Sequence, residues 1–382
     1  MFELRFPTKI VFGRDSVDQI GVEAHKYGDR ALLVTGRSAM REAGVTDRVT
    51  DLLKASGFRE VHLYDQVEHD PSTETVDRGT ETAREGQDDV VVGIGGGSAL
   101  DAAKAIACMV KNEGPVAEYQ SGREIERPGI PFIALPTTAG TGAEITKNAV
   151  LTNKGRKLKQ SIRSPFMIAQ VAIVDPMLTV TMPPRVTAAT GMDALTQAIE
   201  AYVTLASNPV TDALALRSIT LISQSLVRAF TDGSDVEARE NVALGSLMGG
   251  MAFANSSLGA VHGLAHPIGA LFDVPHGVIC ALLLPYVMEY NLAVRTVKYA
   301  QIAEAMKQDI SKAVSVEDAA RMAVRAIRDM ISQLQLPQRL QDVGIHQDAL
   351  TKIAGTARGS SLNNNPRPTT PASLQELLSG AL

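Results

Sequence analysis

The chain has 382 residues, 45% of them hydrophobic and 21% charged, with a formal net charge of −5. That length exceeds one small core and predicts two domains of an ordinary globular protein. The weak negative charge leaves no electrostatic case for nucleic acid or an anionic membrane as partner. Cys108 and Cys280 are too few for a disulfide framework and sit among apolar neighbours, so both read as buried thiols in a reducing cytoplasm. The opening MFELRFPTKIVFG alternates and lacks the apolar core of a secretory leader. The longest apolar run, 278–288, contains Pro285 and is too short to span a bilayer.

In chain order, residues 2–13 alternate and predict a strand or hairpin ending at Gly13. Short apolar runs then alternate with helical patterns. Strands are predicted at 31–35 (ALLVT), 61–64, 89–94 (DVVVGI), 131–135 and 171–174. Helices are predicted at 45–55, from the Asp70-Pro71-Ser72 cap to Arg84, and over the Ala-rich 98–110. The pattern implies a mostly parallel sheet covered on both faces. After Met182-Pro183-Pro184 strand-like runs nearly vanish. Helices are expected at 186–204, 208–230, 236–254, 260–271, 276–291, 297–306, 316–334 and 348–356. Residues 363–371 (NNNPRPTTP) form a polar turn before a short last helix.

Gly95-Gly96-Gly97-Ser98 falls where a strand hands over to a helix. Glycines let backbone approach a ligand, and a helix start offers free N–H groups to phosphate; a plain tight turn would look the same. Ser98 is placed to cap that helix, while Asp101 and Lys104 either lie on the surface or frame the same pocket. Residues 135–142 (LPTTAGTG) form a second small, hydroxyl-rich loop after a strand, and Gly36-Arg37-Ser38 a third. Loops at the carboxyl ends of parallel strands are where such sheets bind ligands, and three together favour a dinucleotide.

Further on, Asp193 and Gln197 stand at i and i+4 in a helix, flanked by Ala194, Leu195, Ala198 and Ile199. A carboxylate in such apolar surroundings must be paired or bind a cation. Residues 259–277 (GAVHGLAHPIGALFDVPHG) hold three of the seven histidines, with His262 and His266 again at i and i+4 and His276 behind Pro275. Imidazoles so placed serve as metal ligands, as general acids and bases, or divide the two roles.

In this order and spacing, the GGGS loop, the PTTAGTGAE loop, the TGMDALTQAIEAY helix and the HGLAHPIGA…PHG segment resemble the iron-containing (group III) alcohol dehydrogenases. The resemblance implies a Rossmann-like α/β nucleotide-binding domain over 1–182 and an all-α metal and substrate domain over 183–382, an architecture shared with dehydroquinate synthase. It places one divalent metal on Asp193, Gln197, His262 and His276. The family has His where this chain has Gln197, and an amide oxygen in place of imidazole favours Fe²⁺ over Zn²⁺. By the same matching, Gly36, Arg37, Ser38, Gly96, Gly97, Ser98, Asp101, Thr137, Thr138, Thr141, Thr146, Lys159, Leu178 and His266 contact NAD(P), and His266 also relays the alcohol proton. Gly36 stands where NAD-preferring relatives often carry Asp, and Arg37 and Ser38 are at hand for a 2′-phosphate, which leans the choice to NADP.

The function so implied is a metal-dependent NAD(P)-linked alcohol dehydrogenase or aldehyde reductase acting on a small alcohol or aldehyde. The expected assembly is a homodimer, or a higher homo-oligomer, through residues 2–13. Gln197 keeps open a metal-independent enzyme resembling maleylacetate reductases, against which stand Asp193, His262 and His276. A dehydroquinate synthase-like lyase would need a Lys and Arg cluster that the helical motifs lack. A nucleotide-binding protein without catalysis would bind cofactor but turn over no alcohol.

Overall fold

The computed structural model describes every residue except Lys157. Six parallel strands carry the unit spanning Phe6–Thr181: β1 (Lys9–Phe12), β2 (Arg30–Gly36), β3 (Glu60–Val67), β4 (Val90–Gly95), β5 (Phe132–Pro136) and β8 (Val171–Val174). The remaining pair, β6 (Asn148–Asn153) and β7 (Leu158–Arg163), forms a separate antiparallel hairpin. Along β4 every residue is buried, because both faces of the sheet are covered. Side chains alternate between two cores: Leu32, Val34 and Val91 pack on one face, and Leu33, Val90, Val92 and Ile133 on the other.

The strand order is β1-β8-β5-β4-β2-β3. The chain runs outward from β2 to β3 in one direction, and from β4 through β5 to β8 in the other. The switch therefore falls between β2 and β4, where an open α/β sheet leaves a crevice at the carboxyl ends of its strands. The loops after those two strands are Gly36-Arg37-Ser38 and Gly95-Gly96-Gly97.

The second unit, Met182–Leu382 with Met1–Arg5, is helical. Its main helices are Pro184–Val203, Pro209–Thr231, Val236–Ala254, Ala260–Phe272, His276–Ala305 and Val316–Gln333. Starts are fixed by side chains that accept otherwise free N–H groups: Asn208 from Val210 and Thr211, Asp235 from Ala238, and Ser315 from Asp318. The Pro184–Val203 helix is buried on every side from Gly191 to Val203, so it is the central helix of its unit. Its approach to the His276–Ala305 helix is close because Gly277 has no side chain: a Cβ there would collide with the Ala189 backbone.

Several expectations are corrected. Only Lys9–Phe12 of residues 2–13 is strand; it is an edge of the sheet, paired with β8 alone. The β6–β7 hairpin has no counterpart in the predicted elements. The predicted helices 276–291 and 297–306 are one, His276–Ala305, interrupted only at Arg295 (φ −136°), whose Nε donates to the Val203 carbonyl. That helix is long and apolar enough to cross a bilayer, but 61% of its most apolar window is buried inside the protein, as for a core helix.

Candidate metal and cofactor sites

At the end of β4 the chain turns through Gly95 at φ +146°, a conformation open to glycine, and Gly97 begins the helix Gly97–Met109. A Cβ on Gly97 would lie 2.9 Å from the Thr141 side chain, and one on Gly96 3.2 Å from Thr138. The absence of side chains thus leaves a cradle between the loops after β4 and β5, at a helix start of favourable dipole, which fits a phosphate. Gly96 is the cap residue, with no side-chain cap bond, so Ser98 does not cap the helix. Its Oγ instead accepts from the Asp70 N–H at 3.2 Å, and Asp70 pairs with Lys159 Nζ at 2.6 Å. Gly96, Gly97, Ser98, Thr138, Thr141 and Lys159 are thereby gathered around one loop cluster.

Other expected cofactor residues sit differently. Thr137 is buried, and its N–H donates to the Gly95 carbonyl. Asp101 accepts from the Val150 N–H at 2.9 Å and lies 3.5 Å from Lys104 Nζ. Lys104 is wholly buried, neither a surface residue nor a pocket wall, and donates to the carbonyls of Ala143, Asn148 and Thr146 and to Thr146 Oγ1. Thr146 is therefore occupied in holding this lysine. Leu178 is buried in the core with Ile20, Leu33 and Ile173. Gly36 ends β2, and Arg37 and Ser38 after it are exposed.

The second site lies within the helical unit. Asp193, His262 and His276 come from three helices, and Cys280 joins them one turn after His276. One ligand atom of each lies within 4.8 Å of all the others. Asp193 Oδ1 stands 3.3 Å from His262 Nε2 and 3.7 Å from His276 Nε2. Cys280 Sγ stands 3.5 Å from His276 Nε2 and 4.0 Å from His262 Nε2.

Asp193 Oδ1 and Gln197 Oε1 are buried yet make no hydrogen bond among the described residues. Buried polar oxygens are rarely left so, and a cation among these converging donors would satisfy both. The donor set of carboxylate, amide oxygen and two imidazoles fits a divalent transition metal.

These groups also shift one another's titration. Burial alone would raise the Asp193 carboxyl, but His276 and His262 beside it hold it below its ordinary range. Burial would depress His262, yet Cys280, Asp193 and Glu200 outweigh it and raise the imidazole well above its usual value. Burial pushes the Cys280 thiol up to about 12.

Glu200 was not singled out from the sequence. Its Oε2 lies 2.6 Å from His262 Nδ1, and its Oε1 accepts from the Val261 N–H at 2.7 Å. A carboxylate on the far ring nitrogen fixes the tautomer and turns Nε2 towards the metal position. Asn365, in the polar turn near the end of the chain, accepts from the Ala260 N–H and from Asn291 Nδ2, pinning the start of the same helix. Glu200 follows Asp193 by two helical turns, so its place on that face was visible in the spacing. His266 is exposed, its ring 5.8 Å from that of His276 and tilted by 28°.

Comparison with known proteins identifies the family. Residues 7–176 match the model of the iron-containing alcohol dehydrogenases, and residues 187–382 the model of the C-terminal part of that family. The chain is 40% identical over 371 residues to 1,3-propanediol dehydrogenase of Klebsiella pneumoniae, covering 96% of this chain and 95% of that one. It is 34% identical to the NAD-dependent methanol dehydrogenase of Bacillus methanolicus, with 98% of each covered. The crystal structure of a 1,3-propanediol oxidoreductase superposes with a TM-score of 0.96 at 39% identity, with 100% of both chains covered.

Proposed function

The chain belongs to the iron-containing alcohol dehydrogenase family, an oxidoreductase acting on CH–OH groups with NAD(P) and a divalent metal, and on that footing we propose how its own residues serve the reaction. Asp193, Gln197, His262 and His276 hold the metal, which supplies Lewis-acid polarisation of the substrate oxygen. The family's iron, and the oxygen donors Asp193 and Gln197, support Fe²⁺. The nicotinamide supplies the hydride chemistry. Glu200 pairs with His262 Nδ1 and orients the ring so that Nε2 faces the metal position. An imidazole nitrogen of His266, exposed beside His276, accepts the alcohol proton and passes it to solvent. Gly96, Gly97, Thr138 and Thr141 receive the cofactor phosphates. Asp101 and Thr146 brace that loop cluster through the Val150 N–H and Lys104, and Leu178 packs in the core of the same unit.

The observation that carries this proposal is the unsatisfied Asp193 Oδ1 among imidazole nitrogens at 3.3 and 3.7 Å. The test is an NAD(P)H-linked assay with small aldehydes before and after metal stripping. Activity lost on stripping and restored by Fe²⁺ supports it; turnover indifferent to chelator overturns it and points to a metal-independent reductase.

For the cofactor, Gly36 with exposed Arg37 and Ser38 supports acceptance of NADP, because position 36 carries no carboxylate to repel a 2′-phosphate. The NAD-dependent relative argues the other way. The ratio of kcat/KM for the two cofactors decides, and Gly36→Asp should move it towards NAD. A homodimer through the open edge of β1 is supported by exposed Phe2 and Phe6 just before it. The two free cysteines fit a cytoplasmic setting.

A further inference from the structure

We propose that Cys280 is itself a metal ligand, supplying a thiolate that stands in for the imidazole missing at Gln197. His276 and Cys280 occupy i and i+4 at the start of the His276–Ala305 helix, so one helical face presents both donors to the same point. Across from them, the Pro184–Val203 helix presents Asp193 and Gln197 by the same spacing.

The distances can be tested against coordination chemistry. Metal bonds of about 2.0–2.3 Å at tetrahedral angles separate N···O donor pairs by about 3.4 Å and S···N pairs by about 3.6 Å. The N···O pairs here are 3.3 and 3.7 Å, and the S···N pairs 3.5 and 4.0 Å. Asp193 Oδ1, His262 Nε2, His276 Nε2 and Cys280 Sγ therefore lie at separations compatible with one shared ion, the two remaining pairs within 4.8 Å, with Gln197 a further donor on the same helix as Asp193. A core thiol has no need of such placement: Cys108, equally buried, lies in the apolar core of the sheet unit among Ala105, Ile106 and Met109. The orphaned Asp193 Oδ1, 4% of whose side chain is exposed, is the independent sign that the point is meant to be filled.

On binding, the sulfur–metal bond forms as Sγ–H gives its proton to solvent, with no change of oxidation state. The consequence is a softer donor set than oxygen and nitrogen alone provide, which raises the affinity for Zn²⁺ and Co²⁺ relative to Mn²⁺. Cys280 can bind metal only if Asp193, His262 and His276 do, so the inference rests on the metal proposal above.

Titration of metal-stripped protein with Co²⁺, followed by absorption spectroscopy, separates the two. The expected result is one cobalt per chain with an intense sulfur-to-cobalt charge-transfer band. That band should persist in Cys108→Ala and vanish in Cys280→Ala, with cobalt affinity down by at least about 10–100-fold, the range for losing even an outer partner of a ligand. Cobalt bound without a sulfur band, or a band and affinity unchanged in Cys280→Ala, overturns the role of Cys280 while the metal site stands. No cobalt binding at all overturns both. Should Cys280→Ala not fold, X-ray absorption of the cobalt-loaded wild-type protein reads the same point: one sulfur in the coordination shell supports the ligand, and none overturns it.

Discussion

Lys104 and Asp193 are both buried charges, one in each unit, and the protein treats them in opposite ways. Lys104 Nζ is fully enclosed and donates to three backbone carbonyls and a threonine hydroxyl, with Asp101 3.5 Å away. Burial pulls the lysine down and pushes Asp101 and Glu144 up, and their mutual attraction opposes all three shifts. Every group there is accounted for inside the protein, so the cluster is a strut beneath the loops after β4 and β5. Asp193 has two imidazoles and a thiol beside it and still leaves Oδ1 unsatisfied, while Gln197 Oε1 is orphaned on the same helix. A closed polar cluster holds a fold; an open one awaits a ligand.

Opposite substitutions should break the two clusters in opposite currencies. Asp193→Ala should lower aldehyde reduction by more than about 100-fold and abolish metal binding, beyond the loss expected for an outer partner. Metal-free Asp193→Ala should lose the pairing with His262 and His276 and unfold somewhat earlier in denaturant than the metal-free parent, but by less than Lys104→Met. Loss of stability comparable to Lys104 variants would contradict that distinction. Lys104→Met should cost about 3–5 kcal/mol in denaturant unfolding, since it strands two buried carboxylates, while the protein that remains folded keeps its metal.

Glu200→Gln falls between them. It keeps the volume but weakens the hold on His262 Nδ1, and should cost about 10–100-fold in metal affinity, measured by competition with a chromophoric chelator. The smallest expected effect lies in the sheet unit, at Glu68. Burial alone would raise this carboxyl, but its own backbone N–H, Ser72 and Thr75 donate to it and hold it at about 2. A depressed folded-state value means stability that is present above the ordinary 4.5 and is lost as pH falls towards 2. Glu68→Gln should flatten that acid limb in pH-dependent thermal unfolding, leaving the metal site untouched.

Much of this contrast was legible in the residues. The strands β2, β4 and β5 are continuous apolar runs because they are buried on both faces, and such runs announce themselves. Asp193, Gln197 and His262 declared their interest as polar residues in apolar helix faces at four-residue spacing. The β6–β7 hairpin did not, because its strands NAVLTN and LKQSIR are half polar. Nor did Lys104: a lysine in an Ala-rich helix reads as solvated until the carbonyls that receive it are in place. Cys280 stands four residues after His276, the spacing that drew attention to the other pairs. Among apolar sequence neighbours it reads as a buried thiol, and only the three-dimensional neighbours show what it faces.

The central claim is that the open cluster of the helical unit holds one divalent metal. Crystals grown from anaerobically cobalt-loaded protein, with diffraction recorded on either side of the cobalt absorption edge, test it most directly. The account predicts a single anomalous peak among Asp193 Oδ1, Gln197 Oε1, the Nε2 atoms of His262 and His276, and Cys280 Sγ. A fully loaded sample with no peak at that point, or with the peak elsewhere in the chain, would contradict it.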